Sequence, residues 1–166
     1  MDTLTTHDGD TLRVRPIARD DGDRLSRMFT RMSPRTVRLR FFLPLSRLSR
    51  GMLDELTTVD RARRDALVVL VDDEIVAVAR YAGRPGTGEA EIAVTVEDAW
   101  QQRGVGSQLA RALAALARGR GYDTLVATML GENHGALRLV HQLAPRAMTR
   151  WSDGTLEVRM PLALAG

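Results

Sequence analysis

The sequence predicts an α/β domain built on a mixed, mostly antiparallel central sheet that is flanked by helices. Two observations lead to this fold class. Residues 66–96 contain three strand-like runs separated by short turns, which is typical of an antiparallel meander. Residues 105–160 then alternate between helical and strand-like periodicity, which indicates crossover connections within the same sheet.

The N-terminal half is predicted to contain one strand followed by three helices: Thr11–Ile17, Asp20–Met32, Ser33–Phe42 and Ser46–Thr58. The strand is inferred from alternating apolar and polar residues, and the helices from apolar residues at helical spacing. Ser33 followed by Pro34 indicates an N-cap and the first helical residue. We expect residues 1–10 to be a flexible N-terminus and residues 11–166 to form a single domain.

The C-terminal half is predicted to contain five strands and two helices. The strands are Ala66–Val71, Ile75–Ala82, Glu89–Val96, Thr124–Leu130 and Thr155–Met160, and the helices are Val105–Arg118 and Asn133–Leu143. The acidic turn at residues 72–74 indicates a hairpin between the first two strands. Gly119 and Gly121 are expected to end the first of the two helices.

The composition excludes several classes of protein. The 166 residues carry a formal charge of +3 and include no cysteine, which rules out disulfides, thiolate metal sites and a cysteine nucleophile. All 24 basic residues are arginine, so the chain offers no lysine amine for Schiff-base chemistry. No apolar run is long enough to span a membrane, and the N-terminus lacks the pattern of a signal peptide. We therefore expect a cytoplasmic protein.

Charge is distributed unevenly along the chain. Residues 1–64 hold 14 arginines and 9 acids, and eight of these arginines lie between Arg24 and Arg50 without any intervening acid. Two interpretations stay open: a solvated helical face, or a contact surface for something acidic. Nucleic acid is not expected as a partner, because no nucleic-acid-binding motif accompanies the arginines.

The most informative segment is the glycine-containing loop between the strand ending at Val96 and the helix beginning at Val105. Glycines at a helix start let a ligand approach the backbone, where free amides and the helix dipole favour phosphate oxygens. A Rossmann fingerprint would need a third glycine where Leu109 stands, and a Walker loop would need a lysine. Neither motif is present.

The loop resembles the acyl-CoA pyrophosphate loop of the GNAT superfamily of N-acetyltransferases, whose pattern Gln/Arg-x-x-Gly-x-Gly/Ala is matched by Gln101, Gly104 and Gly106. Asn133, followed by Ala136, is similar to the family's fourth motif, and the order of predicted elements agrees over residues 11–162. The stretch Ser33–Phe42 is similar to that of bacterial protein-lysine acetyltransferases of the Pat type.

This resemblance implies the GNAT fold, acetyl-CoA as co-substrate and no metal. It also implies a set of cofactor-binding residues on the central strand, the loop and the following helix: Val94, Thr95, Val96, Gln101, Gln102, Arg103, Gly104, Val105, Gly106, Ser107 and Asn133. In the family, backbone groups of the strand hold the pantetheine arm, and loop amides bind the pyrophosphate.

Glu91 is the candidate general base, because related protein acetyltransferases place a catalytic glutamate on this strand. Glu89 and Asp98 are the alternatives, and a surface or salt-bridged Glu91 without a catalytic role stays open. The chain departs from the family at Val140, where many members carry a tyrosine that protonates the leaving thiolate. His134 and His141 have poor spacing for a metal and are interpreted as helix-surface residues.

The predicted activity is acetyl transfer from acetyl-CoA to an amine, by direct attack in a ternary complex. A protein lysine is the first candidate acceptor and a small-molecule amine the second. A non-catalytic acyl-CoA-binding regulatory module is the alternative from another class. We also expect an acid-lined acceptor entrance supplied by residues 65–166, no membrane association, and either a monomer or a homodimer.

Overall fold

The structure is a computed structural model that describes residues 3–162. These residues form an eight-stranded sheet with the strand order β1-β2-β3-β4-β5-β6-β8-β7. The strands are β1 (Thr3–Thr5), β2 (Thr11–Pro16), β3 (Arg64–Val71), β4 (Glu74–Gly83), β5 (Glu89–Val96), β6 (Thr124–Leu130), β7 (Met148–Ser152) and β8 (Thr155–Pro161). Neighbouring strands pair antiparallel except β5 and β6, which are parallel. The predicted mixed, mostly antiparallel sheet is confirmed.

Five α-helices cover the two faces of the sheet: α1 (Gly22–Arg31), α2 (Pro34–Phe41), α3 (Arg50–Thr57), α4 (Val105–Gly119) and α5 (His134–Leu143). Helix α4 buries Leu109 and Leu113 completely in the larger core, which also includes Val140 of α5. Burial of each such leucine side chain contributes about 1.5–3 kcal/mol to the free energy of folding. The smaller core on the other face holds Leu25 and Met28 of α1, with α3 packed beside them. Within the described residues, no helix is both long and apolar enough to cross a membrane.

Local sequence signals explain several element boundaries. The Ser33 hydroxyl accepts from the amide of Thr36 and caps α2, as predicted from Ser33 and Pro34. Asp72 and Asp73 both have positive φ angles in the turn between β3 and β4, which suits a tight hairpin. Glu89–Val96 and Thr124–Leu130 have the predicted bounds of β5 and β6.

Three expectations are corrected. Residues 3–10 are not a flexible terminus, because Thr3–Thr5 pair with β2 and Leu4 is buried in the larger core. Helix α3 begins at Arg50 rather than Ser46, since the Ser49 hydroxyl accepts from the amide of Met52 and caps it there. Strand β7 was not predicted; it is an edge strand whose five residues are all exposed, so it carries no apolar alternation.

Candidate active site

The candidate cleft opens where the two parallel strands part. β5 and β6 pair only through Glu89–Glu91 and Thr124–Val126, and β5 then continues to Val96 without a partner on that side. The resulting cleft has a volume of about 1510 Å³. Its walls come from β5, β6, the start of α4 and the length of α5 on one side, and from α2, α3 and β4 on the other.

Backbone groups of β5 face this gap at every second residue. The Glu97 amide donates to the Val76 carbonyl at 2.9 Å, and hydrogen bonding alternates along an antiparallel pair. The backbone groups of Ile92, Val94 and Val96 therefore point away from β4, towards the space between β5 and β6. Gln101 supports this orientation, because its Nε2 donates to the Val96 carbonyl at 3.0 Å. An extended ligand in the gap can thus bond to β5 as an added strand would.

The loop from Gln101 to Ser107 leaves several amides free at the start of α4. Gly104 is the N-cap with φ of +83°, and no side chain caps the helix. Gln108 is the first residue whose amide donates to a helical carbonyl, that of Gly104 at 3.2 Å. The amides of Val105, Gly106 and Ser107 consequently lack intrahelical acceptors. Together with the helix dipole, they form a site suited to phosphate oxygens.

The remaining side chains of the loop stabilise it. Gln102 adopts a φ of +60°. The Ser107 hydroxyl donates to the Gly104 carbonyl at 3.0 Å, and Val105 is buried in the larger core. Arg103 points away from the free amides: it lies 4.4 Å over the Trp100 ring and pairs with Asp8 at 2.7 Å. The contribution that Arg103 can make to a ligand in the cleft is therefore its backbone amide.

His7 is a cleft residue that sequence reasoning missed. Its amide donates to the Arg103 carbonyl at 3.0 Å, and its imidazole lies against Gly104 and lines the cleft. The N-terminal segment is held there by Arg103, which pairs with Asp10 at 2.5 Å in addition to Asp8. No local pattern marks His7; the only sequence signal is the complementary charge of Asp8, Asp10 and Arg103.

Asn133 caps α5 at the cleft wall. Its Oδ1 accepts from the Ala136 amide at 3.0 Å, so Asn133 precedes the helix rather than lying within it. The oxygen is committed to the helix, and the side-chain Nδ2 is the group left for a ligand. His134 follows at the exposed first residue of α5 and also lines the cleft.

Glu91 occupies the point at which β5 and β6 separate, opposite Val126. Its side chain is exposed in the cleft, and its carboxylate has no ion pair or hydrogen bond within residues 3–162. The carboxylates of both alternative residues already have partners. Glu89 pairs with Arg84 and Arg159, and Asp98 accepts hydrogen bonds from Ser33 and Thr36. Of the three acids, Glu91 has the carboxylate available to a substrate.

Asp98 holds the start of α2 in place. Its carboxylate accepts from the Ser33 hydroxyl at 2.6 Å, the Ser33 amide at 2.9 Å and the Thr36 hydroxyl at 3.0 Å. Burial raises the pKa of Asp98, but these hydrogen bonds outweigh it and the pKa lies below its ordinary value. A carboxylate bound in this way is a poor proton acceptor.

Val140 of α5 is buried in the larger core, and a valine side chain at the position that carries tyrosine in many family members has no proton to give. The chain's two tyrosines pack edge to face with ring centroids 5.5 Å apart. Tyr81 donates its hydroxyl to the Ala62 carbonyl, and the hydroxyl of Tyr122 lies against Gly83. Neither replaces the missing acid. Among the described residues, no three histidines or carboxylates are grouped to hold a metal ion.

The acceptor side of the cleft differs from the expected acid-lined entrance. Its lining includes the arginines Arg35, Arg40, Arg64 and Arg80. Two of the acids there are already paired: Glu55 with Arg64 at 3.2 Å and Asp65 with Arg61 at 2.6 Å. The expectation failed because α2 and the start of β3 bring Arg35, Arg40 and Arg64 of the basic N-terminal half to this wall, and Arg80 of β4 adds a further positive charge.

Comparison with known proteins identifies the family of the chain. The acetyltransferase (GNAT) family model matches residues 35–144, which include β5, the loop and Asn133. An acetyltransferase of Pseudomonas aeruginosa is 34% identical over 119 residues, which represent 69% of this chain and 64% of the relative. The chain therefore spans just under two thirds of that relative's length.

Solved structures show the same fold. The GNAT domain of PAT from S. lividans is 32% identical with a TM-score of 0.88, over 96% of this chain and 95% of that one. A cAMP-binding acyltransferase from Mycobacterium smegmatis shares the fold at 23% identity and a TM-score of 0.69, over 98% of this chain and 47% of that one. The chain belongs to the acetyltransferase (GNAT) family.

Proposed function

We propose that the chain transfers the acetyl group of acetyl-CoA directly to the ε-amine of a lysine in a protein, with Glu91 as general base. The observation that carries this proposal is the position of Glu91. It lies where the gap between β5 and β6 begins, with a free carboxylate that faces the acceptor side of the cleft. An amine entering from α2 and α3 would meet Glu91 before it reached a donor held along β5.

The donor would be held mainly by backbone groups. The amides from Gln102 to Ser107 suit the pyrophosphate, and the backbone groups of Val94 and the amide of Val96, on either side of the buried Thr95, suit the pantetheine arm. Gln101 stabilises the end of β5 through the Val96 carbonyl, and Asn133 offers its Nδ2. Bound acetyl-CoA supplies an activated acetyl thioester. Fixed backbone donors can stabilise negative charge on its carbonyl oxygen without reorganising.

Glu91 would serve to generate a neutral amine. A lysine amine with a pKa of about 10.4 is only about 0.1% neutral near pH 7.4. Recovering that factor is worth at most about 4 kcal/mol of activation free energy. The carboxylate accepts the proton, the amine attacks the thioester carbon, and the C–S bond breaks so that CoA leaves as the thiolate. No cysteine is available for a covalent acetyl intermediate, which favours direct transfer.

Two observations favour a protein lysine as acceptor. The stretch Ser33–Phe42, which is similar to Pat-type acetyltransferases, forms α2 on the acceptor wall. The GNAT domain of PAT from S. lividans also covers nearly the whole chain at 32% identity. Val140 favours the alternative of a non-catalytic acyl-CoA-binding module, because no tyrosine assists the leaving thiolate there. A thiol with a pKa of about 8.5 can leave unaided, so this departure is compatible with activity.

The deciding experiment compares two neighbouring glutamates on β5. Purified protein is incubated with acetyl-CoA and lysine peptides, polyamines or amino acids, and acetylation is followed by mass spectrometry. We expect Glu91→Gln to lower turnover of a lysine peptide by roughly 10²–10⁴-fold, with acetyl-CoA affinity nearly unchanged. The matched Glu89→Gln variant removes an equal charge from an ion-paired position and should keep its turnover.

Each other outcome identifies a different function. If polyamines or amino acids were acetylated and lysine peptides were not, the chain would be a small-molecule amine acetyltransferase. Tight acetyl-CoA binding without turnover of any amine would support the regulatory module. Near-full activity of Glu91→Gln would assign proton removal to water or to another acid.

A further inference from the structure

Two half-buried guanidinium groups flank Glu91 on the acceptor side of the cleft. Arg40 lies in the last turn of α2, and Arg80 lies within β4 directly opposite Ala93 of β5. Paired residues share a face of the sheet, and Glu91 precedes Ala93 by two residues. Arg80 and Glu91 are therefore diagonal neighbours on one face. All three charged side chains line the cleft.

Arg40 has donors that the described part of the chain does not satisfy. Its guanidinium lies 5.0 Å over the ring of Phe41, and no oxygen within residues 3–162 accepts a hydrogen bond from it. Burial lowers the pKa of Arg40, and the nearby Glu91 opposes that effect. A partly desolvated guanidinium with five free N–H groups is unfavourable unless an anion or water meets it.

Arg80 faces the same part of the cleft with only one acceptor. It donates to the Leu56 carbonyl at 2.6 Å and has no ion pair among the described residues. Burial first, and then the charges of Arg40 and Arg64, lower the pKa of Arg80 to about 10. It therefore stays protonated at neutral pH. Arg64 differs, because Glu55 neutralises it. The two arginines left without a carboxylate repel each other across the acceptor wall.

We propose that Arg40 and Arg80 bind a carboxylate of the acceptor, beside the amine that Glu91 deprotonates. This inference rests on the proposed acetyl transfer and specifies its substrate class. A carboxylate accepts paired hydrogen bonds from guanidinium groups and cancels the repulsion between them. The carboxylate is either the acidic side chain next to an acceptor lysine or the α-carboxylate of a free amino acid. The same positive charges disfavour the ammonium form of the amine and so assist its deprotonation.

The test uses lysine peptides that differ at one neighbouring residue: Glu, Gln or Arg. A second arm compares free lysine with lysinamide, which lacks the α-carboxylate. For the wild-type protein we expect kcat/KM for the Glu peptide, or for free lysine, to exceed that of its uncharged counterpart about tenfold. In Arg40→Gln that ratio should fall towards one, and in Arg40→Lys it should be intermediate because the planar fork is lost. Arg118→Gln is the matched control, since Arg118 is exposed on α4 outside the cleft lining.

The arms separate the possible outcomes. A preference for the Glu peptide over the Gln peptide assigns the carboxylate to an acidic side chain. A preference for free lysine over lysinamide, with no preference among the peptides, assigns it to a free amino acid. Acetylation of all acceptors at equal rates overturns this inference while the proposed function stands. A preference that survives in Arg40→Gln, or an equal loss of activity towards every acceptor, also overturns it, because Arg40 would then act on Glu91 or on the fold. Failure to acetylate any acceptor overturns both proposals.

Discussion

The imidazole of His7 lies directly against Gly104: a Cβ atom at Gly104 would be 2.6 Å from Nε2 of His7. Gly104 also has a φ of +83°, a backbone conformation that residues with a side chain rarely adopt. Gly106 differs in both respects, since its Cβ would lie 3.4 Å from Val96 Cγ2 without a positive φ. Gly104 is therefore required by the fold of the loop, whereas we expect Gly106 to be required by the ligand that approaches it.

The first prediction uses this difference. Gly104→Ala should lower the free energy of unfolding by about 1–3 kcal/mol, because it strains the backbone and displaces His7. Gly106→Val should leave a folded protein but weaken acetyl-CoA binding more than tenfold, a loss above about 1.4 kcal/mol, by filling the space beside the free amides. Thermal unfolding and titration calorimetry measure the two effects. Unchanged affinity in folded Gly106→Val would contradict the placement of the pyrophosphate.

The second prediction separates the two uses of Asn133. Asn133→Ala removes the cap of α5 and should cost about 1 kcal/mol of stability, whereas Asn133→Asp keeps an oxygen at that position. If Nδ2 donates to the donor substrate, both variants should bind acetyl-CoA more weakly than the wild type. An Asp variant with wild-type affinity would show that Asn133 only caps the helix.

The third prediction concerns Asp21, which is fully buried and receives two hydrogen bonds from Arg15 at 2.6 and 2.7 Å and one from the Ala18 amide at 2.8 Å. Burial raises the pKa of this carboxyl, but the hydrogen bonds outweigh it and the pKa lies below the ordinary 3.8. Ionised Asp21 therefore stabilises the fold above about pH 3.8, and this contribution is lost as the pH falls through the lower folded-state value.

We expect Asp21→Asn to lower the free energy of unfolding by about 3 kcal/mol near pH 7, since it leaves Arg15 without its partner. Urea denaturation at a series of pH values measures the difference in free energy of unfolding between variant and wild type. This difference should become smaller below the unfolded-state pKa of Asp21. The exposed neighbour Asp20 provides the control, and Asp20→Asn should change stability little. A gap that is constant with pH would mean that the Asp21 pKa is not lowered by folding.

The fourth prediction follows from the absence of lysine. Incubation of the pure 166-residue chain with acetyl-CoA should add at most one acetyl group, because its only amine is the α-amine. Intact-mass spectrometry tests this directly, and two or more stable adducts would contradict it. An Arg47→Lys variant, which adds one exposed amine, shows whether an accessible lysine is modified under the same conditions.

Local sequence patterns predicted the elements that bury an apolar face. β5 and β6 alternate or concentrate apolar residues, and α4 carries Leu109 and Leu113 at helical spacing. β7 had no such signal because all of its residues are exposed, and β1 is only three residues long. These two strands depend on pairing with β8 and β2, which is a tertiary effect.

Sequence reasoning could place those parts of the candidate site that lie on one continuous segment. Glu91 and the glycine loop could be located because strand, loop and helix start follow one another in the chain. His7, Arg40 and Arg80 could not, since each reaches the cleft from a distant element. Arg80 stands within an apolar strand, where the sequence gives no indication of the cleft that it faces.

The separation of β5 from β6 makes the free energy of unfolding depend on the concentration of acetyl-CoA, if acetyl-CoA binds there as proposed. Where the central strands part, backbone groups of β5 such as those of Val94 have no partner strand, and a donor bound as proposed would add hydrogen bonds to them. At a donor concentration of 100 times Kd, binding adds about 2.7 kcal/mol to the free energy of unfolding. The fraction of folded molecules, and with it resistance to proteolysis, is then expected to rise and fall with the acetyl-CoA level around them.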